Sequence, residues 1–289
     1  MARKGNFKVL ENYRYFVPSF GNIVVLTLML LLGAILGNAA TLLMMKFGGN
    51  EFAQGYGTLI SYVLMFIPPF IYAGTMSRLS AWQEHATSLD SSHFKPVSGL
   101  CCALAASAGV LALSFCSDAL NSLMPPMPEF LEEMLKSLTQ GNFLINLLCV
   151  SIAAPFCEEW LCRGMVLRGL LGHNVKPVPA ILFSAFFFAL IHANPWQAIP
   201  AFLFGCLFGW IYYKTGSLKL TMLMHCVNNT FALVIGHMDR FKDVDNWMDV
   251  LEPRQYAIIF AACALAVILT ILTFKKIPQE DIRGNLDRS

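Results

Sequence analysis

Again and again along its 289 residues, this chain runs for about 20 positions almost without a charge. Nothing else constrains the fold as much. A helix of that length crosses roughly 30 Å of hydrocarbon, and inside lipid every backbone N–H and C=O must find a partner within the protein. Strands meet that demand only in a closed barrel with alternating polarity, which these continuous apolar runs lack. Composition agrees: 56% of residues are hydrophobic and only 13% are charged, with a mean hydropathy of +0.59. A soluble domain rarely combines the two. The expected fold is all-α, a polytopic membrane protein of about eight transmembrane helices with its site inside the bundle. The spans fall at about 21–46, 57–76, 97–117, 142–163, 177–193, 197–213, 218–236 and 256–274. A single transmembrane domain over 21–274 then lies between an N-terminal segment, 1–20, and a tail, 275–289. Pro68 and Pro69 predict a kink or a break in the second span.

The basic start is followed by a full-length span, not by a short apolar run and a cleavage site, so no cleavable signal peptide is expected. Basic residues set the orientation. With both termini cytoplasmic, only Lys46, Lys136, Arg240, Lys242 and Arg254 of the Lys and Arg residues fall outside. The nine cysteines lie in or beside apolar segments with no CxxC pair, as buried small hydrophobes do. After the prolines near 125–128, Phe130, Leu131, Met134, Leu135 and Leu138 recur at helical spacing. That pattern suits an amphipathic helix on the membrane surface, or a cap over an entrance.

Ionisable side chains within spans are rare and mark function. Three clusters stand out: Glu158-Glu159-x-x-x-Arg163, Phe188-x-x-x-His192, and His225-x-x-x-Asn229 with Asn228 beside it. On a helix, residues four apart share a face, while neighbours are splayed by about 100°. Glu159 and Arg163 therefore pair, and Glu158 turns elsewhere, unpaired. The helix that carries them is expected to run out into the cytoplasm through Arg163 and Arg168, which would lower the cost of the pair. Measured from the turn near 172–176, Glu158 and His192 stand roughly 21 and 24 Å up antiparallel helices, and His225 and Asn229 roughly 12 to 18 Å. The clusters are expected to form one site.

A carboxylate beside a histidine in a partly desolvated pocket acts as a general base toward water. A second histidine and a carboxamide donate hydrogen bonds to the oxyanion formed when a peptide carbonyl is attacked. Glu158, His192 and His225 are equally a two-His, one-Glu set for zinc with an open position. A proton relay through the same three groups would suit a transporter, although no inverted repeat is visible. HExxH and GxSxG motifs are absent, and no span holds an aspartate pair.

The ordered set EExxxR, FxxxH and HxxxN resembles the CPBP family, the CAAX proteases and bacteriocin-processing enzymes also called Abi or type II CAAX prenyl endopeptidases. The resemblance covers a core of about 142–236. It implies an intramembrane endopeptidase in which Glu158 activates water with help from His192. His225 and Asn229 would form the oxyanion site, and Glu159, Arg163 and Phe188 would give structural support. The family has been described both as metalloproteases and as glutamate-dependent, metal-independent enzymes. The one-turn offsets among the candidate ligands favour the second, with Zn²⁺ the alternative. The implied partners are the bilayer and a membrane-associated protein or peptide substrate, with no nucleic acid. A non-catalytic scaffold or immunity protein of the same fold is the alternative function.

Overall fold

The computed structural model describes residues 8–83, 87–132, 142–241, 244 and 246–279. Within them all regular structure is helical. Eight helices build the bundle: α1 Phe20–Gly48, α2 Asn50–Ser80, α3 Gly99–Asn121, α4 Phe143–Gly172, α5 Pro177–Ile191, α6 Pro195–Thr215, α7 Leu218–His237 and α8 Pro253–Lys275. Six of these, all but α5 and α6, are long and apolar enough to cross a membrane. At 15 residues α5 is short of a full span. The 21 residues of α6 reach far enough, but Gln197 and Lys214 dilute their apolar character. The expected eight spans therefore reduce to six helices that meet the requirement on their own.

The outward faces of α1 and α8 carry exposed Leu, Ile and Phe side chains, among them Leu28, Ile35, Ile258 and Ile268. That distribution suits a protein whose solvent is lipid, and the chain is an integral membrane protein. At the centre stands α4. From Glu159 to Leu171 every residue is buried, including Arg163 and Arg168. The expectation that exposure to water lowers the cost of the pair is therefore not met, because both arginines are enclosed by protein. Arg168 donates instead to the carbonyls of Gly164, Thr87 and Phe16 and to the Thr87 hydroxyl. It ties the N-terminal segment, whose Leu10 and Phe16 enter the core, and the 87–98 loop to the bundle. A guanidinium with five donors can turn several loose carbonyls into one knot.

The two prolines do not break α2, which continues through Pro68 and Pro69. Pro69 has no N–H for the Met65 carbonyl, its partner in an α-helical ladder. That carbonyl lies against Gly33 of α1, where a Cβ would collide with it. A close glycine neighbour lets a freed carbonyl be accommodated, as happens in membrane helices. One turn along, a Cβ on Gly37 would stand 2.5 Å from the Ser61 carbonyl oxygen. These two contacts make α1 and α2 a tight hairpin and set the position of Tyr62, the residue after Ser61. Of the amphipathic segment expected at 130–138, Met134, Leu135, Lys136 and Leu138 lie outside the described residues.

Gly37→Ala should push α1 off α2. Overpacking of this kind costs about 1–3 kcal/mol, to be read as a lower thermal unfolding midpoint of the detergent-solubilised protein. An unchanged midpoint would show that the hairpin does not depend on this contact.

Candidate active site

The catalytic candidates on α4 sit on an unusual backbone. The turn Ala154–Glu159 is α-helical, but Leu147–Ala153 before it and Trp160–Leu167 after it are π-helical. Such wide i→i+5 turns are rare and gather at functional sites. They also spoil a height count made at a constant rise per residue. The first π segment has a consequence that Pro155 enforces. The Ala154 N–H bonds the Cys149 carbonyl, so the Val150 carbonyl would fall to residue 155, which as a proline has no N–H. The Asn229 amide of α7 fills the gap, donating to Val150 O at 2.9 Å. Asn228 donates to Asn229 Oδ1 at 3.3 Å. One N–H of Asn229 is thus spent on holding α7 to α4.

Glu159 and Arg163 form the expected pair at 2.8 Å, and neither side chain has any exposed surface. The guanidinium also donates to the Gly205 carbonyl on α6 at 3.2 Å. Its carbon lies 4.6 Å from the Phe188 ring centroid and 5.2 Å from that of Phe208. A desolvated cation gains from both aromatic faces. Glu159 is not confined to Arg163, however. Its Oε1 also lies 3.2 Å from Nδ1 of His225. Because Glu159 is the acceptor, Nδ1 carries the proton, and Nε2 is left as the uncommitted ring atom.

His192 is fixed in the same way from the other side. Its Nδ1 donates to the Phe188 carbonyl at 2.7 Å, which again frees Nε2. The Phe188 ring meets both imidazoles edge-on, at 4.9 Å from His192 and 5.4 Å from His225. Phe188 thus touches Arg163 and both histidines. Just beyond His192 the chain reverses through Ala193, whose φ of 51° is left-handed. For a residue with a Cβ that conformation costs about 1–2 kcal/mol. Asn194 then caps α6 by accepting from Trp196 N.

Glu158, the carboxylate freed by the splay, is only 12% exposed. Its Oε2 makes no hydrogen bond among the described residues and lies 3.9 Å from Nε2 of His225. Its Oε1 accepts from the hydroxyl of Tyr62 on α2 at 2.5 Å. Tyr62 is the site residue that the sequence reading missed. A tyrosine in mid-span needs a partner for its hydroxyl, and that was the available signal. Between Glu158 and His192 no hydrogen bond or ion pair forms; they meet as walls of one cavity. That cavity, of about 540 Å³, is also lined by Phe188, His225 and Asn229. The three sequence clusters therefore converge. Thr58, Tyr62 and Phe66 of α2 and Gln197 and Phe204 of α6 complete the wall.

Zinc would need three ligands pointing at one centre within bonding range. Among the described residues, no group of three His, Cys, Asp or Glu side chains is so arranged. Glu158, His192 and His225, as they stand, do not fit the ion.

Residues 140–231 match the family model described as type II CAAX prenyl endopeptidase Rce1-like. The match spans Glu158, Glu159, Arg163, Phe188, His192, His225 and Asn229, but not Tyr62. It supports membership of the CPBP family. No curated protein and no solved structure matches the chain.

Arg163→Met leaves Glu159 buried without its counter-charge and should cost about 3–5 kcal/mol. The double variant Glu159→Gln/Arg163→Met should recover much of that loss. Denaturation in detergent checks both, and equal losses in the single and double variants would refute the pairing.

Proposed function

We propose, from this CPBP-type core, that the protein is an intramembrane endopeptidase that cuts a peptide bond of a membrane-associated protein or peptide. The observation that carries the reading is the convergence on one cavity of Glu158 and two histidines whose Nε2 atoms are uncommitted. A water molecule between them gives a proton to Oε2 of Glu158 while its oxygen attacks the scissile carbonyl carbon. Nε2 of His192, an acceptor because Nδ1 holds the proton, takes the second hydrogen bond of that water and aims it. The oxyanion accepts from Nε2 of His225 and from the second N–H of Asn229. His225 can donate there only as the imidazolium, because its Nδ1–H already faces Glu159. Protonated Glu158 then returns its proton to the leaving amine as the C–N bond breaks.

Apart from the water, every group invoked comes from the protein, and no covalent bond forms between protein and substrate. Preorganised donors in a water-poor site contribute more than they would in bulk solvent. Orientation with both termini in the cytoplasm belongs to this reading, supported by the distribution of Lys and Arg.

Glu158→Gln keeps the shape but removes the base. It should lower cleavage by about 10²- to 10⁴-fold, and His192→Ala should lower it as well. The assay is mass spectrometry of peptides released in membranes carrying the wild-type or variant protein. Undiminished products from Glu158→Gln would sink the proposal. Activity that survives a chelator would support the metal-free route, and activity lost with the chelator and restored by zinc would replace it.

A further inference from the structure

Tyr62 lies outside the matched segment, 96 positions from Glu158 along the chain, yet its hydroxyl makes the closest contact to that carboxylate. A phenol donating to a carboxylate is a charge-assisted hydrogen bond, about twice as strong as a neutral one. It engages Oε1 alone. The two carboxylate oxygens are otherwise equivalent, and rotation about the last side-chain bond would exchange them. With Oε1 held by Tyr62, Oε2 is the oxygen beside Nε2 of His225 at 3.9 Å. The phenol is itself held in place: its ring packs 5.3 Å from Phe66, and Ser61 before it is pressed against Gly37. Thr58, one turn away on α2, lines the same cavity.

We propose that Tyr62 is the positioning residue of the general base, so that the α1–α2 hairpin is part of the catalytic apparatus and more than a wall around it. This inference rests on Glu158 being the base. Without the phenol the carboxylate plane swings about its last bond, and whichever oxygen faces the cavity is aimed at the water for only part of the time. Misplacing a catalytic group by about 1 Å can cost about 10²-fold in rate, and one charge-assisted hydrogen bond is worth on the order of 10- to 100-fold.

The test is Tyr62→Phe, which keeps the ring and its packing. The probe is a fluorogenic peptide built on the cleavage sequence found by product mass spectrometry, assayed in detergent micelles. We expect kcat to fall on the order of 10- to 100-fold with KM nearly unchanged. In a Glu158→Asp background, where the shortened carboxylate no longer reaches the phenol, adding Tyr62→Phe should cost nothing further. Full kcat in Tyr62→Phe, or an equal loss in both backgrounds, would overturn the inference while leaving Glu158 as base. Full activity in Glu158→Gln would instead remove the base itself. A readout independent of turnover uses infrared difference spectra. The carboxylate bands that vanish in Glu158→Gln belong to Glu158, and Tyr62→Phe should shift them. Bands unmoved by Tyr62→Phe would also overturn the inference.

Discussion

A charge that stays inside an apolar bundle must be surrounded by partners, and the Glu159–Arg163 pair is where this protein meets that demand. Removing two ions from water is costly, and attraction between them offsets the cost only when the remaining donors and acceptors are also used. Here the unused capacity reaches outward. Arg163 binds a carbonyl of α6 and lies against aromatic rings of α5 and α6. Glu159 binds His225 of α7. One ion pair on α4 therefore touches three other helices. Its location also orients the imidazole: by taking Nδ1 of His225, Glu159 turns Nε2 toward Glu158.

The sequence was informative about residue types and poor about which atoms meet. Helical periodicity separated Glu158 from Glu159, because neighbours on a helix diverge whatever surrounds them. The membrane bundle was equally legible, since composition and span length act locally. Three features were not. The burial of Arg163 and Arg168 depends on what α4 packs against, and a basic residue near a helix end looks the same in the sequence whether it faces solvent or carbonyls. The double duty of Glu159 depends on the register between α4 and α7. The first π turn runs into Pro155, and the carbonyl left over there is met by Asn229 of another helix, for which local propensity carries no signal.

Asn229 shows how the same residue type can mislead. An HxxxN pair on one helical face suggests two donors aimed at a substrate. Half of that expectation is taken up by backbone repair, because the Val150 carbonyl has lost its helical donor to Pro155. The bond to Val150 leaves one N–H of Asn229 over, because a carboxamide has two. The bond to Val150 fixes the plane of the amide and so the direction of the second N–H. An aspartate would offer no donor in this position, and a histidine could not bond Val150 and donate toward the cavity from one nitrogen.

The α1–α2 hairpin raises the same logic to the level of the fold. The matched core holds both histidines by their Nδ1 atoms, one against a carbonyl of its own helix and one against a carboxylate of α4. Glu158 has no such restraint within that core; its restraint arrives from α2. Rigid seating of α2 then depends on α1, and that contact works only because glycines at 33 and 37 let the backbones approach. The proline pair in α2 follows from the same contact. It would weaken an isolated helix, but here it frees a carbonyl exactly where the partner helix has no side chain to obstruct it. Helices outside the core segment are therefore bound to it by more than shared lipid. Glu158, the phenol that holds it and the hairpin that holds the phenol form one mechanical chain, and each link is a close contact between helices.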